Sequence, residues 1–295
     1  AVRAEQTAVR VRDKQLGLAW RAPEARVALR RTKTGLSGTA DATVSVSDAR
    51  VRLDGELAYT AGAGEIAVRG RAANLEPAAV AKAIPELSLP GTLTTPLDAT
   101  IRTRLGLDGR VGDIAARLEA GAGAFTWPDR YDTPLPIRDL SVEARYARGE
   151  DRLAVRDLAL TLGTPDRRGP RVTGEATVAN LRTGAMRVDG EVQAKAVAMQ
   201  RLDRYWPKGA ATKTREWITR NIPSGRVNTA EFTTQLRLPD RLAGPAEIGA
   251  LDGRMRFRDA GECVHRVALC CLRFCRRCRF QGRDGVENAR RVSFR

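Results

Sequence analysis

Apolar and polar residues alternate strictly along most of this chain, and that alternation constrains the fold more than any other feature. From Val51 to Tyr59 the apolar residues occupy every second position, with Arg52, Asp54 and Glu56 between them. Successive side chains of a β-strand point to opposite faces, so this pattern predicts antiparallel strands with one apolar and one solvated face. Further runs of this kind lie near 25–30, 39–46, 65–73, 99–107, 113–120, 138–147, 151–162, 171–179, 186–196, 227–238 and 248–258.

A short repeat recurs within these predicted strands, with glycine at its centre between two polar and two apolar residues. Its seven copies are centred on Gly38, Gly55, Gly70, Gly109, Gly174, Gly190 and Gly253. Alternation places each glycine on the apolar face, although glycine weakens a strand by about 0.5–1 kcal/mol relative to alanine. Two interpretations stay open: the glycines bend the sheet, or they leave a floor without side chains on which an acyl chain lies.

Helical patterns are few. The segment 76–84 begins with an early proline and ends before Pro85, which predicts a short helix. A second helical region covers 197–205 and 210–222 and is terminated by Pro223 and Gly225. We therefore expect a mostly β fold: an extended, curved antiparallel sheet, forming an open groove of repeated strands, with two or three short helices.

The composition limits the classes of function. The net charge is +16, but the arginines alternate with acidic and apolar residues, which is typical of a solvated strand face and does not indicate a nucleic-acid site. Aromatic residues make up only 5% of the chain. No stretch resembles a signal peptide or a membrane-spanning helix, so we expect any anchor to lie upstream of Ala1.

The last 33 residues contain all five cysteines and the single histidine, His265. Cys275 and Cys278 form a C-x-x-C pair, but a second pair at zinc-finger spacing is missing. The alternative interpretation is that residues 262–295 are a non-native or frame-shifted tail, and we favour it. With neither histidine nor cysteine in the rest of the chain, we expect no enzyme, no catalytic residues, no metal site and no cofactor.

The segment from Arg201 to Pro239 resembles the central region of YhdP-type members of the AsmA-like family. The resemblance rests on a YWP tripeptide, a short helix with R-x-W-I, and I-x-x-G-x-V before a strand: Tyr205, Trp206, Pro207, Arg215, Trp217, Ile218, Ile222, Gly225 and Val227. It implies a long periplasmic β-sheet protein, anchored in the inner membrane by an N-terminal helix and implicated in phospholipid transport to the outer membrane. Related groove proteins carry acyl chains on a concave apolar face.

These observations predict three regions: residues 1–196 as a strand groove with a short helix near 76–84, residues 197–261 as the YWP and helix element with further strands, and the tail 262–295. The expected partners are phospholipid acyl chains and a membrane surface, with no nucleic acid; a scaffold of the cell envelope that carries no lipid is the alternative. The candidate groove residues are Leu53, Gly55, Leu57, Tyr59, Val172, Gly174, Met186, Val188, Gly190, Val192, Leu251, Gly253, Met255 and Phe257. The candidates for head-group contact or helix packing are Trp206, Lys208, Lys213, Arg215, Trp217 and Arg220.

Overall fold

The chain is mostly β, with antiparallel strands and few short helices, as the alternation predicts. This computed structural model describes residues 1–13, 18–46, 49–78, 92–108, 110–182, 184–209, 212–221, 224–238, 247–258, 279–281 and 290–294. The cysteines, His265 and most of the predicted helix near 76–84 lie outside these residues.

Twelve of the strands match the twelve predicted runs, and five were not predicted: Val2–Asp13, Thr92–Leu93, Gly123–Thr126, Arg279–Gln281 and Arg290–Phe294. The strands are β1 (Val2–Asp13), β2 (Leu18–Arg31), β3 (Gly35–Val46), β4 (Ala49–Thr60), β5 (Glu65–Leu75), β6 (Thr92–Leu93), β7 (Leu97–Gly106), β8 (Val111–Ala120), β9 (Gly123–Thr126), β10 (Leu135–Ala147), β11 (Arg152–Thr164), β12 (Arg167–Ala179), β13 (Met186–Ala198), β14 (Arg226–Leu238), β15 (Glu247–Arg258), β16 (Arg279–Gln281) and β17 (Arg290–Phe294). The helices are α1 (Leu202–Tyr205) and α2 (Thr212–Asn221). The predicted helical region is thus confirmed at 202–205 and 212–221, with a 3-10 turn at Met199–Arg201 before α1, whereas Val197 and Ala198 belong to β13. Residues 210, 211 and 222 lie outside the described residues.

The chain forms two compact units: residues 1–121 with 140–156, and residues 122–139 with 157–295. This division differs from the predicted boundary after residue 196. The reason is strand pairing, because β13 pairs with both β12 and β14, so residues 171–198 belong with the strands that follow the helices.

In the first unit, consecutive strands pair antiparallel in the order β1, β2, β3, β4, β5, β7, β8 and the second half of β10. Residues directly opposite each other in such pairs share a face of the sheet. One face is apolar and the other carries cross-strand ion pairs such as Arg26–Asp41 at 3.8 Å and Arg117–Glu143 at 2.8 Å. The period of two in the sequence therefore becomes two chemically distinct faces.

The core of the first unit lies at one end of its apolar face. Small and branched residues are buried there against Leu53, Leu75 and Leu118; the buried ones are Ala22, Ala25, Val44, Val51, Ala72 and Ala99. Alanine dominates this cluster, so the layer that it buries is thin, and burial does not extend over the rest of the face.

In the second unit, β12, β13, β14, β15 and β17 pair antiparallel in that order, and β16 pairs with β17. Helices α1 and α2 pack on one face of this sheet through Leu202 and Ile218. Strands β16 and β17 fall within the segment 262–295, whose interpretation as a non-native tail stays a prediction.

Candidate functional site

The apolar face of the first unit consists of cross-strand rows that run through its strands. The first row, which we call the buried row because Ala25, Ala72 and Ala99 are buried in it, also contains the half-buried Ala42, Leu53, Leu118 and Val142. The next two rows form what we call the apolar strip: Ala4, Val27, Ala40, Gly55, Gly70, Ile101, Ala116 and Ala144, then Val2, Leu29, Gly38, Leu57, Val68, Thr103, Ile114 and Tyr146. Only Thr103 and the hydroxyl of Tyr146 interrupt its apolar character.

The apolar strip is partly open to solvent. Ile101 is 42% exposed and Leu29 is 36% exposed, whereas Ala99 in the neighbouring buried row is 3% exposed. Beside the strip, Leu36 is 45% exposed. These exposed aliphatic side chains lie on β2, β3 and β7 in different rows, and the apolar rows between them make one surface. An exposed apolar surface of this kind usually marks a site of interaction.

Two directly opposed glycines lower the floor of the strip. A Cβ atom at Gly70 would meet only the carbonyl oxygen of Asp54, at 4.0 Å, and one at Gly55 would be in ordinary contact at 3.7 Å. At Gly38 the space is filled instead, because the side chain of Leu29 lies 2.6 Å from the position that a Cβ would take. The repeated glycine therefore has two roles here: open space at Gly55 and Gly70, and tight packing at Gly38.

The four predicted groove residues of β4 all lie on the apolar face. Gly55 and Leu57 belong to the apolar strip, and Leu53 belongs to the buried row. Tyr59 lies in the next row, opposite Leu36 and Ile66.

The predicted groove residues of the second unit also share one face, as the register shows. Gly174 lies opposite Val192, which lies opposite Phe232, which in turn lies opposite Gly253. The parallel rows contain the other candidates Val172, Met186, Val188, Gly190, Leu251, Met255 and Phe257.

The chain itself covers one end of this second face. Met255, Ile218 and Val227 are each 1% exposed and form one cluster with Leu202, while Trp206 and Phe232 pack against it. Met186 is also buried, at 5%. Burial thus removes Met186, Gly253 and Met255 from the surface. The other candidates whose burial is described are half-buried: Val172, Gly174, Val188, Gly190, Val192 and Leu251.

The predicted head-group or helix-packing residues are largely engaged within the protein. The ring of Trp206 packs edge-on against Phe232 with centroids 6.4 Å apart. The ammonium of Lys208 pairs with Asp132, and Arg215 donates to the backbone oxygen of Asp203 at 3.3 Å. Arg220 is exposed in the last turn of α2, whereas the side chains of Lys213 and Trp217 lie outside the described residues.

The opposite face of the first unit contains a groove of about 1130 Å³ that sequence reasoning did not identify. Two cross-strand rows of that face line it: Arg3, Ala28, Thr39, Glu56, Arg69, Arg102, Ala115 and Arg145, then Arg30, Ser37, Ala58, Ala67 and Arg104. Its lining also includes Ala1 and, between the two rows, Leu29, Gly38, Leu57, Val68 and Thr103 of the apolar strip. We call it the charged groove. In the sequence, only the alternating arginines indicate this charged face. Alternation alone does not distinguish a flat solvated face from a concave one.

Among the described residues, no group of three His, Cys, Asp or Glu side chains could hold a metal ion. Ion pairing with Glu119, and then with Glu143, raises the pKa of the Arg117 guanidinium. Burial raises the pKa of the Tyr131 phenol, against an opposing effect of Arg130. Of the helices that the structure describes, none is both long and apolar enough to span a bilayer.

Comparisons of the chain with protein-family models, with curated proteins and with solved structures found no match.

Proposed function

We propose that this chain belongs to a non-enzymatic protein of the bacterial envelope that shelters phospholipid acyl chains on the apolar strip and takes part in phospholipid transport between the inner and outer membranes. The observation that carries the proposal is the partly open apolar strip, which crosses eight strands in register. The resemblance of the segment around Tyr205 and Trp217 to AsmA-like proteins supports a periplasmic location and an inner-membrane anchor in the full-length protein.

The dimensions of the strip suit an acyl chain. Neighbouring strands lie about 4.8 Å apart, so eight strands extend over roughly 33 Å. One acyl chain occupies about half of a bilayer core that is about 30 Å thick. An extended chain therefore fits along the strip across the strands, above Gly55 and Gly70, where the floor lacks side chains.

Burial of apolar surface alone can supply the free energy of acyl-chain binding, without catalysis. Each methylene transferred from water to an apolar surface contributes about 0.8 kcal/mol when fully buried. A chain lying on an open strip buries only one side, so about 0.4 kcal/mol per methylene is a reasonable share. An acyl chain of ordinary length would thus gain several kcal/mol, enough for reversible binding.

Site-specific photocrosslinking tests the proposal. A photoreactive amino acid replaces Ile101, on the apolar strip, or Thr100, the preceding residue of β7, which lies on the opposite face and does not line the charged groove. We expect phospholipid adducts at position 101 and far fewer at 100. Adducts of equal yield at both positions, or at neither, would refute lipid binding on the strip.

A blocking variant adds a second criterion. Gly55→Leu with Gly70→Leu fills the open floor without changing charge, so we expect it to lower the adduct yield at position 101. If the purified protein carries no phospholipid and the yield is unaffected, the envelope scaffold is the better description.

A further inference from the structure

The charged groove has an excess of positive charge that its own acidic residues do not neutralise. Three acidic side chains line it, Glu56, Glu65 and Asp113. Six arginines face them: Arg3, Arg30, Arg69, Arg102, Arg104 and Arg145. The groove therefore has a net charge of +3, concentrated on one face of one unit.

Ion pairs account for only two of the arginines. Arg104 pairs with Glu65 at 3.2 Å, and Arg145 pairs with Asp113 at 3.1 Å. Within the part of the chain that the structure describes, the other four have no ion-pair partner within 4.0 Å: Arg3, Arg30, Arg69 and Arg102.

Two of these arginines lie directly opposite each other on neighbouring strands. Arg69 of β5 pairs in register with Arg102 of β7. Like charges in this arrangement destabilise a sheet, and an anion between the two guanidinium groups would remove the repulsion. Arginine also presents a fork of N–H donors that matches the oxygens of a phosphate group.

We propose that the charged groove binds a linear polyanion with several phosphate groups along a flexible chain. Arg69 and Arg102 hold one phosphate, and Arg3 and Arg30 on β1 and β2 contact others farther along the groove. This inference does not depend on lipid binding by the apolar strip, because in these strands the arginine side chains alternate with those of the strip and point to the opposite face.

The shape and lining of the groove favour this ligand over two other anions. None of its lining residues is aromatic, so it lacks the stacking platforms on which single-stranded nucleic acids depend. The arginines line a concavity, whereas a flat anionic membrane would contact mainly its rims. A flexible phosphate chain can enter the groove and follow the cross-strand row.

The probe for the experiment is inorganic polyphosphate, titrated against the full chain at several salt concentrations. We expect Arg69→Gln with Arg102→Gln to weaken binding about 100-fold, since each lost charge-assisted contact is worth about a factor of ten or more. The slope of the logarithm of the binding constant against the logarithm of salt concentration should fall by about two.

The matched control is Arg52→Gln with Arg71→Gln, which removes the same charge from the same face outside the groove. Both control arginines already have partners, Asp54 at 3.5 Å and Asp98 at 3.8 Å. We expect this variant to bind polyphosphate nearly as tightly as the unmodified chain. An equal loss in both variants would reject a specific groove and leave only general charge attraction.

Vesicles of phosphatidylglycerol form the second arm. Vesicle binding that depends on Arg69 and Arg102, without binding of polyphosphate, would overturn the proposal in favour of a membrane contact. An unmodified chain that binds neither probe would overturn it as well.

Discussion

Ile218 and Ile101 differ in the exposed fraction of their side chains, and truncating each of them tests where the apolar faces are covered. Ile218 of α2 is 1% exposed and packs in a cluster with Met255 and Val227, which are also 1% exposed. Ile101 of β7 is 42% exposed on the apolar strip. Both are isoleucines, so truncation to alanine removes the same atoms from two different environments.

The expected losses follow from burial. Ile218→Ala removes about three methylene equivalents at about 0.8 kcal/mol each, and the cavity beside Met255 raises the total to about 3–4 kcal/mol. Ile101→Ala removes atoms that are already close to half exposed and leaves no enclosed cavity, so we expect a loss of about 1 kcal/mol.

Urea unfolding followed by circular dichroism measures both losses, and hydrogen exchange with mass spectrometry assigns each to its segment. Exchange should accelerate around α2 and β15 in Ile218→Ala and change little around β7 in Ile101→Ala. A loss at Ile101 as large as that at Ile218 would mean that the strip is covered, and the reasoning behind an open apolar surface would be wrong.

Three further predictions concern glycines, charge and pH. Gly70→Ala should be neutral or should stabilise the protein by up to about 1 kcal/mol, because its Cβ enters open space. Gly174→Ala should destabilise the protein, because its Cβ would lie 2.5 Å from a backbone oxygen. Thermal unfolding compares the two variants. Lys208→Ala should cost less than about 1 kcal/mol in urea unfolding, since its ion pair with Asp132 is largely exposed, and a larger loss would indicate that the pair organises the loop. The pKa of the Tyr131 phenol is raised by burial, so its contribution to stability is full below the ordinary tyrosine pKa and is lost as pH rises through the pKa of the folded state. Ultraviolet titration of the folded protein should show a late phenolate phase that is absent in Tyr131→Phe. The same titration curve in both proteins would contradict the prediction.

Much of the fold could be predicted because the period of two is a local signal. The run from Val51 to Tyr59 lies in β4 and the run from Met186 to Ala196 lies in β13. Helix α2 is also accessible from sequence, since Pro223 and Gly225 end its pattern. By contrast, β9 is only four residues long, Gly123–Thr126, and gives too few alternations to recognise.

The candidate site was predictable only in part, because a face is a property of paired strands. Leu57 and Met255 have the same alternating sequence signal, yet Leu57 lies on the apolar strip and Met255 is covered by α2. The local sequence pattern around Met255 does not indicate that a helix packs above this residue.

The sequence by itself determined that this chain forms antiparallel strands with one apolar and one charged face, because side-chain direction in a strand follows from the backbone alone. Tertiary structure decided which rows align across the strands, where helices cover the apolar face, and that the arginines around Arg69 and Arg102 line a groove. Those outcomes depend on register and packing between segments far apart in the chain, and no single stretch of sequence predicts such contacts.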